Sequence, residues 1–273
     1  MRRSTRRVFV PLFFASGRVR RTRRRLARAR ARRDQSAYAG GPPDFVGIGV
    51  QRAGSTWWHQ VVTAHPQVYR APASKERHFF DRFWDASFSD AQIESYRRLF
   101  PRPAGTVAGE WTPEYAFYFW APPLLKLAAP EARLLVILRD PIERFRSGLS
   151  HTLTYHRGSA SLAQHAFERG LYHRQLRRVL EYFDRDRLLV LQFERCREDP
   201  RGEARRTYEF LGLDDTGFSP PELSMRIGRT RVPKIELHEH EIDALRFAYR
   251  DDALGLAEAF PEIDLSLWTT LAL

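Results

Sequence analysis

Six residues between a hydrophobic segment and a helix-forming segment carry groups that can bind an anion. They are Gln51, Arg52, Ala53, Gly54, Ser55 and Thr56. Gly54 allows a tight turn close to a ligand, and a helix beginning at Ser55 would direct its free N–H groups and the positive end of its dipole at that turn. Arg52 adds a full charge and a planar fork of donors. The pattern fits a phosphate or sulfate, although a small-residue turn between a strand and a helix also occurs without a ligand.

A second segment, LLVILRDPIERFRSGLSH, has the same strand-to-helix character. Its aliphatic part ends at Arg139, and Pro141 follows at a position that suits the first turn of a helix. Ligands bind at the carboxyl ends of parallel strands, so we expect Arg139 to face the same crevice as the first loop, with Ser147 two turns into the helix. The alternative is that Arg139 pairs with an acidic neighbour, Asp140 or Glu143, and that Ser147 faces solvent.

These residues are positioned by an alternation of strands and helices. Strands are predicted at residues 45–50, 106–110, 133–139 and 187–193. Helices are predicted at residues 55–64, 90–100, 141–154, 161–184, 200–211 and 236–260. The last two strands are continuous aliphatic runs, which are typical of a parallel sheet covered on both faces. The sequence therefore predicts an α/β protein, a three-layer αβα sandwich with a central parallel sheet.

The positive charge of the chain is concentrated in an N-terminal arm. The formal net charge is +12, but residues 1–33 contain fourteen arginines and no acid, which leaves 31 basic against 33 acidic residues in the remainder. We divide the chain into a basic arm and linker, residues 1–42, expected to be disordered or partly helical, and one domain, residues 43–273. A nearly neutral domain disfavours specific nucleic-acid binding through the fold.

The arm also carries the short apolar stretch VFVPLFFA, residues 8–15. It supports a signal peptide only weakly, because that would call for a longer apolar core and a small-residue cleavage site, and no apolar run has the standard length of a transmembrane helix. We expect a cytoplasmic protein. Residues 1–33 could contact an anionic membrane surface peripherally, and the simpler interpretation is a solvated leader without a partner. The single cysteine, Cys196, excludes a disulfide framework.

The two loops together resemble the sulfotransferases that use 3′-phosphoadenosine 5′-phosphosulfate. The first loop is similar to the family's 5′-phosphosulfate loop, Lys-Ser-Gly-Thr-Thr or Lys-Gly-Gly-Thr, and Arg139 with Ser147 matches its arginine followed eight residues later by a serine. The resemblance implies a P-loop-NTPase-like sulfotransferase fold. It also implies that the nucleotide contacts residues 52–57, including Trp57, together with Arg139 and Ser147. Arg52 stands where the family has lysine.

Further motifs indicate the heparan-sulfate-type and bacterial branch of that family. SKERHFFD, residues 74–81, is similar to its Glu-x-His-Phe-Phe segment, so Glu76 takes the place of the base that activates the acceptor hydroxyl; His78 is the alternative base. GEWTPEY, residues 109–115, is similar to Gly-Glu-Lys-Thr-Pro-x-Tyr, with Trp111 replacing the lysine. Lys75 could supply the missing charge. A surface salt bridge from Glu76 to Lys75 or Arg77 is the alternative interpretation.

IGRTRVPK, residues 227–234, resembles the family's late loop that closes over the nucleotide. This adds Gly228, Arg229 and Thr230 to the expected nucleotide contacts. The resemblance covers residues 45 to about 234, and it leaves out the arm and the last forty residues or so.

The expected function is transfer of a sulfuryl group from 3′-phosphoadenosine 5′-phosphosulfate to an acceptor hydroxyl by in-line displacement. The resemblance favours a carbohydrate or glycolipid acceptor, and small-molecule acceptors stay open. No metal is required by this chemistry, and no metal-ligand spacing occurs in the sequence. There are two alternatives: a P-loop nucleotide kinase, which the missing GxxxxGK[ST] spacing disfavours, and a nucleic-acid binder acting through the arm. The sequence does not indicate an oligomeric state.

Overall fold

Four parallel strands form the sheet in the part of the chain that the structure describes, in the order β2-β1-β3-β4. The strands are β1 (Phe45–Gly49), β2 (Gly109–Trp111), β3 (Arg133–Leu138) and β4 (Leu188–Gln192). The structure is a computed structural model that describes residues 40–70, 74–155, 160–214, 217–224 and 234–273. The basic arm up to Ala39 and the predicted nucleotide contacts Gly228, Arg229 and Thr230 lie outside the described residues.

Helices flank this sheet. In the described ranges they are α1 (Ser55–Ala64), α2 (Asp90–Arg97), α3 (Ala121–Ala128), α4 (Pro141–Tyr155), α5 (Ala160–Glu168), α6 (Tyr172–Val179), α7 (Phe193–Glu198), α8 (Pro200–Leu211) and α9 (Glu239–Ala259). Every residue of β1 and β4 is buried, as an aliphatic strand covered on both faces requires. The predicted α/β architecture with a central parallel sheet is confirmed.

The strand order creates the crevice that the sequence predicts. Phe45 of β1 pairs with Gly109 of β2 on one side and with Arg133 of β3 on the other. The connection that leaves β1 runs to β2 on one side of the sheet, and the connection that leaves β3 runs to β4 on the opposite side. Connections that leave adjacent strands in opposite directions open a gap at the carboxyl ends of the strands. The loop after β1 and the loop after β3 therefore meet at this gap.

One predicted helix is wrong in its extent. Residues 161–184 form two helices, α5 and α6, separated by a turn at Arg169 and Gly170. Gly170 lies close to α9, because a Cβ on it would lie 2.7 Å from the Tyr249 hydroxyl. Tyr249 also donates to the Phe167 carbonyl at 2.9 Å. The contact with Tyr249 thus requires a glycine at this turn, and glycine is a residue at which helices commonly end.

Smaller differences concern β2 and two helices absent from the prediction. The strand predicted at residues 106–110 is observed at Gly109–Trp111, and Val107 makes an isolated parallel bridge to Val68 instead. Helix α3 begins Ala-Pro-Pro, and prolines are tolerated in a first turn because its N–H groups have no partner inside the helix. Helix α7 follows β4 directly.

Candidate active site

The loop after β1 has the geometry of an anion cradle. Gly54 is the N-cap of α1 with a φ of 97°, it offers no side-chain cap, and the first turn of the helix contains no acid. Arg52 also lies in the left-handed region, at a φ of 72°, which a residue with a Cβ rarely adopts. Ser55 is buried and Thr56 is exposed. The N-terminal dipole of α1 is therefore compensated neither by a capping side chain nor by an acid of its own first turn.

A direct hydrogen bond joins the two predicted nucleotide segments. Arg52 Nε donates to Ser147 Oγ at 3.1 Å. Ser147 is buried, so the alternative that it faces solvent is wrong. Burial, followed by the nearby Arg139 and Arg144 charges, lowers the pKa of Arg52. Positive charges gathered around Arg52 in this way favour an anion at the same place.

Arg139 lies at the predicted edge but is engaged with an acid. Its guanidinium donates to Glu143 Oε2 at 3.0 Å and lies 5.3 Å from the ring centre of Phe193. Glu143 also accepts from Lys234 Nζ at 2.7 Å and from Arg146 at 2.6 Å. Although burial opposes the shift, these cations lower the pKa of Glu143. The pairing with Glu143 that the sequence left open is thus present, and three cations share this one carboxylate.

Asp140 has a structural role beside Arg139. Its Oδ1 accepts from the backbone N–H groups of Ile142 and Glu143, and its Oδ2 accepts from those of Thr270 and Leu271. The carboxylate caps α4 and holds the C-terminal segment against it. All four hydrogen bonds come from backbone donors, and the residue is buried.

Lys75 comes from a different loop and completes the cradle. Its Nζ lies 3.1 Å from Ser55 Oγ and 3.3 Å from Thr56 Oγ1 at the start of α1, and 3.0 Å from Glu76 Oε1. The side chain is only 15% exposed. Burial lowers the pKa of Lys75, although Glu76 and Glu114 partly oppose the shift. A single ammonium group therefore contacts both the anion loop and the candidate base.

Glu76, His78 and Asp81 form a chain of side chains at the mouth of the crevice. His78 Nε2 lies 3.1 Å from Glu76 Oε2, and His78 Nδ1 lies 2.7 Å from Asp81 Oδ2. Burial opposes protonation of this ring, but Asp81, Glu114 and Glu76 outweigh it and raise the pKa of His78. The predicted salt bridge from Glu76 goes to Lys75, whereas the Arg77 guanidinium lies over Phe100.

Buried polar groups of residues 110–115 hold this loop in place. Glu110 Oε2 and the Thr112 hydroxyl both accept from the Arg77 backbone N–H, at 3.0 Å each. The Tyr115 hydroxyl accepts from the Phe79 N–H at 3.0 Å. Tyr96 donates to Glu110 Oε1 at 2.7 Å. Burial raises the pKa of Glu110, although these hydrogen bonds oppose the shift.

Trp111 does not face the crevice. It is fully buried, its indole N–H donates to the Gly49 carbonyl at 3.0 Å, and its ring fills the space where Gly47 lacks a side chain. Its backbone N–H donates to the Lys75 carbonyl at 3.0 Å. Trp111 therefore positions the main chain at Lys75 while contributing no charge to the site.

The other predicted nucleotide contacts are buried at the base of the loop. Ala53 and Trp57 are inaccessible or nearly so. The Trp57 indole donates to the Glu222 carbonyl at 2.9 Å and meets Phe193 edge to face. Trp57 thus ties the turn at Pro221–Ser224 to the start of α1.

Sequence reasoning missed Glu114 and Arg169, and it did not link Gln51 of the anion loop to Glu114. Gln51 donates its side-chain N–H to Glu114 Oε1 at 2.9 Å, and Arg169 lies 3.9 Å from the same oxygen. Burial raises the pKa of Glu114, partly offset by Arg169. Asp81 was also missed, although its spacing of three residues from His78 is a local signal. Glu114 has no such signal, because its partners come from elsewhere in the chain.

Two features are absent from the described residues. No helix in those ranges is long and apolar enough to cross a membrane. Across the same ranges, no group of three or more His, Cys, Asp or Glu side chains could hold a metal ion.

Comparison with known proteins gave consistent matches. A family model described as "Sulfotransferase domain" matches residues 42–224. Heparan sulfate glucosamine 3-O-sulfotransferase 3B1 of Mus musculus is 32% identical over 187 residues, which are 63% of this chain and 46% of that protein. Heparan sulfate glucosamine 3-O-sulfotransferase 6 of Homo sapiens is also 32% identical, over 63% of this chain and 52% of that protein. The chain thus spans about half the length of these relatives.

Solved structures also match. A sulfotransferase from Alicyclobacillus acidocaldarius superposes with a TM-score of 0.67 at 25% identity, covering 83% of this chain and 98% of that one. The sulfotransferase domain of the Synechococcus PCC 7002 olefin synthase gives a TM-score of 0.55 at 18% identity over 83% of this chain and 97% of that one, which shows a shared fold.

Proposed function

Because the chain belongs to the sulfotransferase domain family, we propose that it transfers the sulfuryl group of 3′-phosphoadenosine 5′-phosphosulfate to an acceptor hydroxyl. The observation that carries this proposal is the position of Lys75. Its ammonium group contacts the hydroxyls of the anion loop and the Glu76 carboxylate at once. An anion site and a base are therefore adjacent, as transfer of an anionic group to a hydroxyl requires.

On the donor, the phosphosulfate binds at the start of α1. Arg52, Lys75 and the first amides of the helix surround this place, and no side chain caps it. The 3′-phosphate binds near Ser147 and Arg139. Arg139 is paired with Glu143, and Lys234 and Arg146 bind the same carboxylate, so those two cations keep Glu143 compensated when Arg139 turns towards a phosphate.

In the reaction, the acceptor oxygen attacks sulfur, and the bond from sulfur to the bridging phosphate oxygen breaks. The hydroxyl proton passes to Glu76, and the electron pair of the broken bond leaves with the phosphate. Negative charge grows on the leaving phosphate and the equatorial sulfate oxygens, and Arg52, Lys75 and the helix amides stabilise it. Each such donor is worth roughly 3–4 kcal/mol in the transition state.

His78 and Asp81 orient the base. The His78 ring links Glu76 Oε2 to Asp81 Oδ2, and Lys75 holds Glu76 Oε1. A carboxylate oxygen has two acceptor positions, so each Glu76 oxygen keeps one for the acceptor proton. His78 itself is the alternative base, and its geometry argues against that role, because both ring nitrogens already lie within hydrogen-bond distance of carboxylate oxygens.

The nucleotide-kinase alternative has little support. Asp140 follows the aliphatic strand β3 in the way a magnesium-binding residue would. Both of its oxygens accept from backbone N–H groups. A carboxylate committed to capping α4 and to anchoring the C-terminal segment cannot also serve as a magnesium ligand without breaking those bonds.

A carbohydrate or glycolipid hydroxyl is the proposed acceptor class, because the relatives at 32% identity are named for glucosamine of heparan sulfate. The location is proposed to be cytoplasmic. Contact of residues 1–33 with an anionic membrane surface stays a prediction, alongside the simpler solvated leader. Flotation with anionic liposomes at low salt, comparing the full chain with a version starting at Asp44, tests it. Recovery of both proteins in the soluble fraction would contradict membrane contact.

The proposed function predicts selective nucleotide binding and transfer. Calorimetry should give much tighter binding of 3′-phosphoadenosine 5′-phosphate than of AMP, because only the former carries the 3′-phosphate. Transfer of label from the sulfate donor to hydroxyl acceptors should follow. Equal affinity for the two nucleotides would remove the sulfotransferase proposal.

A further inference from the structure

Two buried carboxylate oxygens next to the candidate base have no hydrogen-bond partner among the described residues. They are Glu114 Oε2 and Asp81 Oδ1. Glu114 is only 7% exposed, and its other oxygen accepts from Gln51. A buried polar atom without a partner costs free energy, so such an atom in a folded protein calls for an explanation.

Both residues belong to the crevice. Gln51, which holds Glu114, precedes Arg52 of the anion loop, and Asp81 holds His78 of the base chain. The charge of Glu114 also acts on the pKa of Lys75 and of His78. Asp81 is thus linked to Glu76 through His78, and Glu114 is held by the residue that precedes Arg52.

Their own neighbours do not satisfy them. Arg169 is 3.9 Å from Glu114 Oε1, beyond hydrogen-bond distance, and its guanidinium lies 4.4 Å from the ring centre of Phe117. Asp81 Oδ2 takes the His78 N–H, which leaves Oδ1 unused. Lys75 is committed to Glu76 and to the hydroxyls of the loop. What the site lacks is hydrogen-bond donors.

An aromatic surface adjoins these carboxylates. Tyr118 and Trp120 stack at 4.6 Å, and the Trp120 indole donates to the carbonyl of Phe80, the residue before Asp81. Trp84 packs on Trp120 and on Phe119 at 5.4 Å in both cases, yet Trp84 is 62% and Phe119 52% exposed. Large exposed aromatic side chains next to a crevice are typical of ligand-binding surfaces.

We propose that Glu114, Asp81 and this aromatic surface (Trp84, Tyr118, Phe119 and Trp120) form the acceptor subsite, and that it takes an uncharged sugar ring. This rests on the proposed sulfotransferase function. Hydroxyl groups of the ring donate to the two free oxygens, and its apolar face lies on the aromatic side chains. Sulfate and carboxylate groups are acceptors only, so a polyanionic glycan would leave these oxygens unpaired and bring like charges together.

The charges of the site agree with this choice. Lys75 is paired with Glu76 and His78 with Asp81, and Arg169 lies against Glu114. At position 111, where the family motif has a lysine, this chain has a buried tryptophan. No surplus of positive charge remains among these groups to attract an anionic acceptor.

The test uses matched β-1,4-linked glucan tetrasaccharides: unmodified, 6-carboxylated, 6-sulfated and 2-amino. With the full chain and labelled donor, kcat/KM should be highest for the unmodified sugar. Glu114→Gln should lower that value roughly 10- to 100-fold, the size of a charge-assisted hydrogen bond. Glu114→Ser should in addition reduce the ratio of kcat/KM for the unmodified sugar to kcat/KM for the carboxylated sugar. Trp84→Ala should raise KM with less effect on kcat.

Glu258→Gln on the exposed face of α9 is the matched control and should behave as the wild type. Affinity for 3′-phosphoadenosine 5′-phosphate, measured by calorimetry on every variant, separates the two proposals. If the wild-type protein does not bind this nucleotide, the proposed sulfotransferase function itself is overturned. Three outcomes with intact nucleotide binding would overturn only the subsite. The first is a higher kcat/KM for the sulfated, carboxylated or amino sugar, and the second is no transfer to the unmodified sugar. The third is a Glu114→Ser variant whose preference for the unmodified over the carboxylated sugar is unchanged.

Discussion

The donor side of the crevice, residues 50–56 with Arg139 and Ser147, takes its shape from regular structure. A strand end, a glycine cap and a helix start place its charges within a few residues. The acceptor side, residues 74–81 with residues 109–120, is held differently. Its loop has no helix or strand before the turn at Asp81–Phe83, and side chains more than thirty positions away fix its backbone, as Glu110 does for Arg77.

The difference affects what each side can tolerate. A helix N-terminus presents its N–H groups whatever its side chains are, so the donor side depends on backbone. The acceptor side depends on buried hydroxyl and carboxyl groups that must all be satisfied. Changes of acceptor specificity are therefore expected on the second side, while the donor side keeps its nucleotide.

The largest expected effect is on turnover, and it comes from a substitution on the acceptor side alone. Glu76→Gln keeps the shape and the hydrogen bond to Lys75 or His78 but cannot take a proton. Turnover should fall about 10²–10⁴-fold, the usual span for a general base, while calorimetric nucleotide affinity stays unchanged. Wild-type turnover in Glu76→Gln, combined with loss of turnover in His78→Ala, would instead assign the base to His78.

The next largest effect is on nucleotide binding, and it comes from a substitution on the donor side alone. Arg139→Ala should reduce the preference for 3′-phosphoadenosine 5′-phosphate over AMP by about 1.5–3 kcal/mol, the value of a charge-assisted hydrogen bond. Calorimetry with both nucleotides measures it. Arg246→Ala on α9 serves as the control, because that arginine pairs with Glu239 and Asp243. An unchanged preference in Arg139→Ala would mean that Arg139 remains bound to Glu143 when nucleotide is present.

The smallest effect concerns pH and the acceptor side. Because the folded protein raises the pKa of His78, protonation of this ring stabilises the fold. That contribution is complete below the unfolded-state pKa of about 6.5 and is lost as pH rises through the folded-state pKa. The difference in unfolding free energy between the wild type and His78→Asn should thus be larger at about pH 5.5 than at about pH 8.5.

The size of this pH effect is limited. The His78 ring is 46% exposed, so solvent screening should keep the change within about 1 kcal/mol. Chemical denaturation at the two pH values measures it. A difference that grows towards alkaline pH would contradict the raised pKa.

Much of the donor side could be predicted from the sequence because its signals are local. Helix α1 has its predicted bounds, and β3 ends one residue before the predicted limit. The predicted residues Arg52 and Ser147 are joined by a hydrogen bond. Here periodicity, a glycine and a proline act within a few positions of the residues they place.

The acceptor side could be predicted only in part. The motif around Glu76 marks a base, but neither the anchoring by Glu110 nor the free oxygen of Glu114 has a local signature. Their partners, such as Tyr96 and Gln51, meet them only after the chain has folded. At the break between α5 and α6, the residue that leaves no room for a side chain at Gly170 is Tyr249, which lies about eighty residues later in the chain.

The contact between Gly47 and Trp111 constrains how this site can evolve. A Cβ at Gly47 would overlap the indole ring, so any side chain there is tolerated only after Trp111 has become smaller. Replacing Trp111 first leaves a cavity beneath the sheet, at a cost of about 3–5 kcal/mol for a large aromatic residue. Either first step is unfavourable alone. The two positions are thus expected to change together, and a variant with lysine at position 111 should be more stable with a larger residue at position 47.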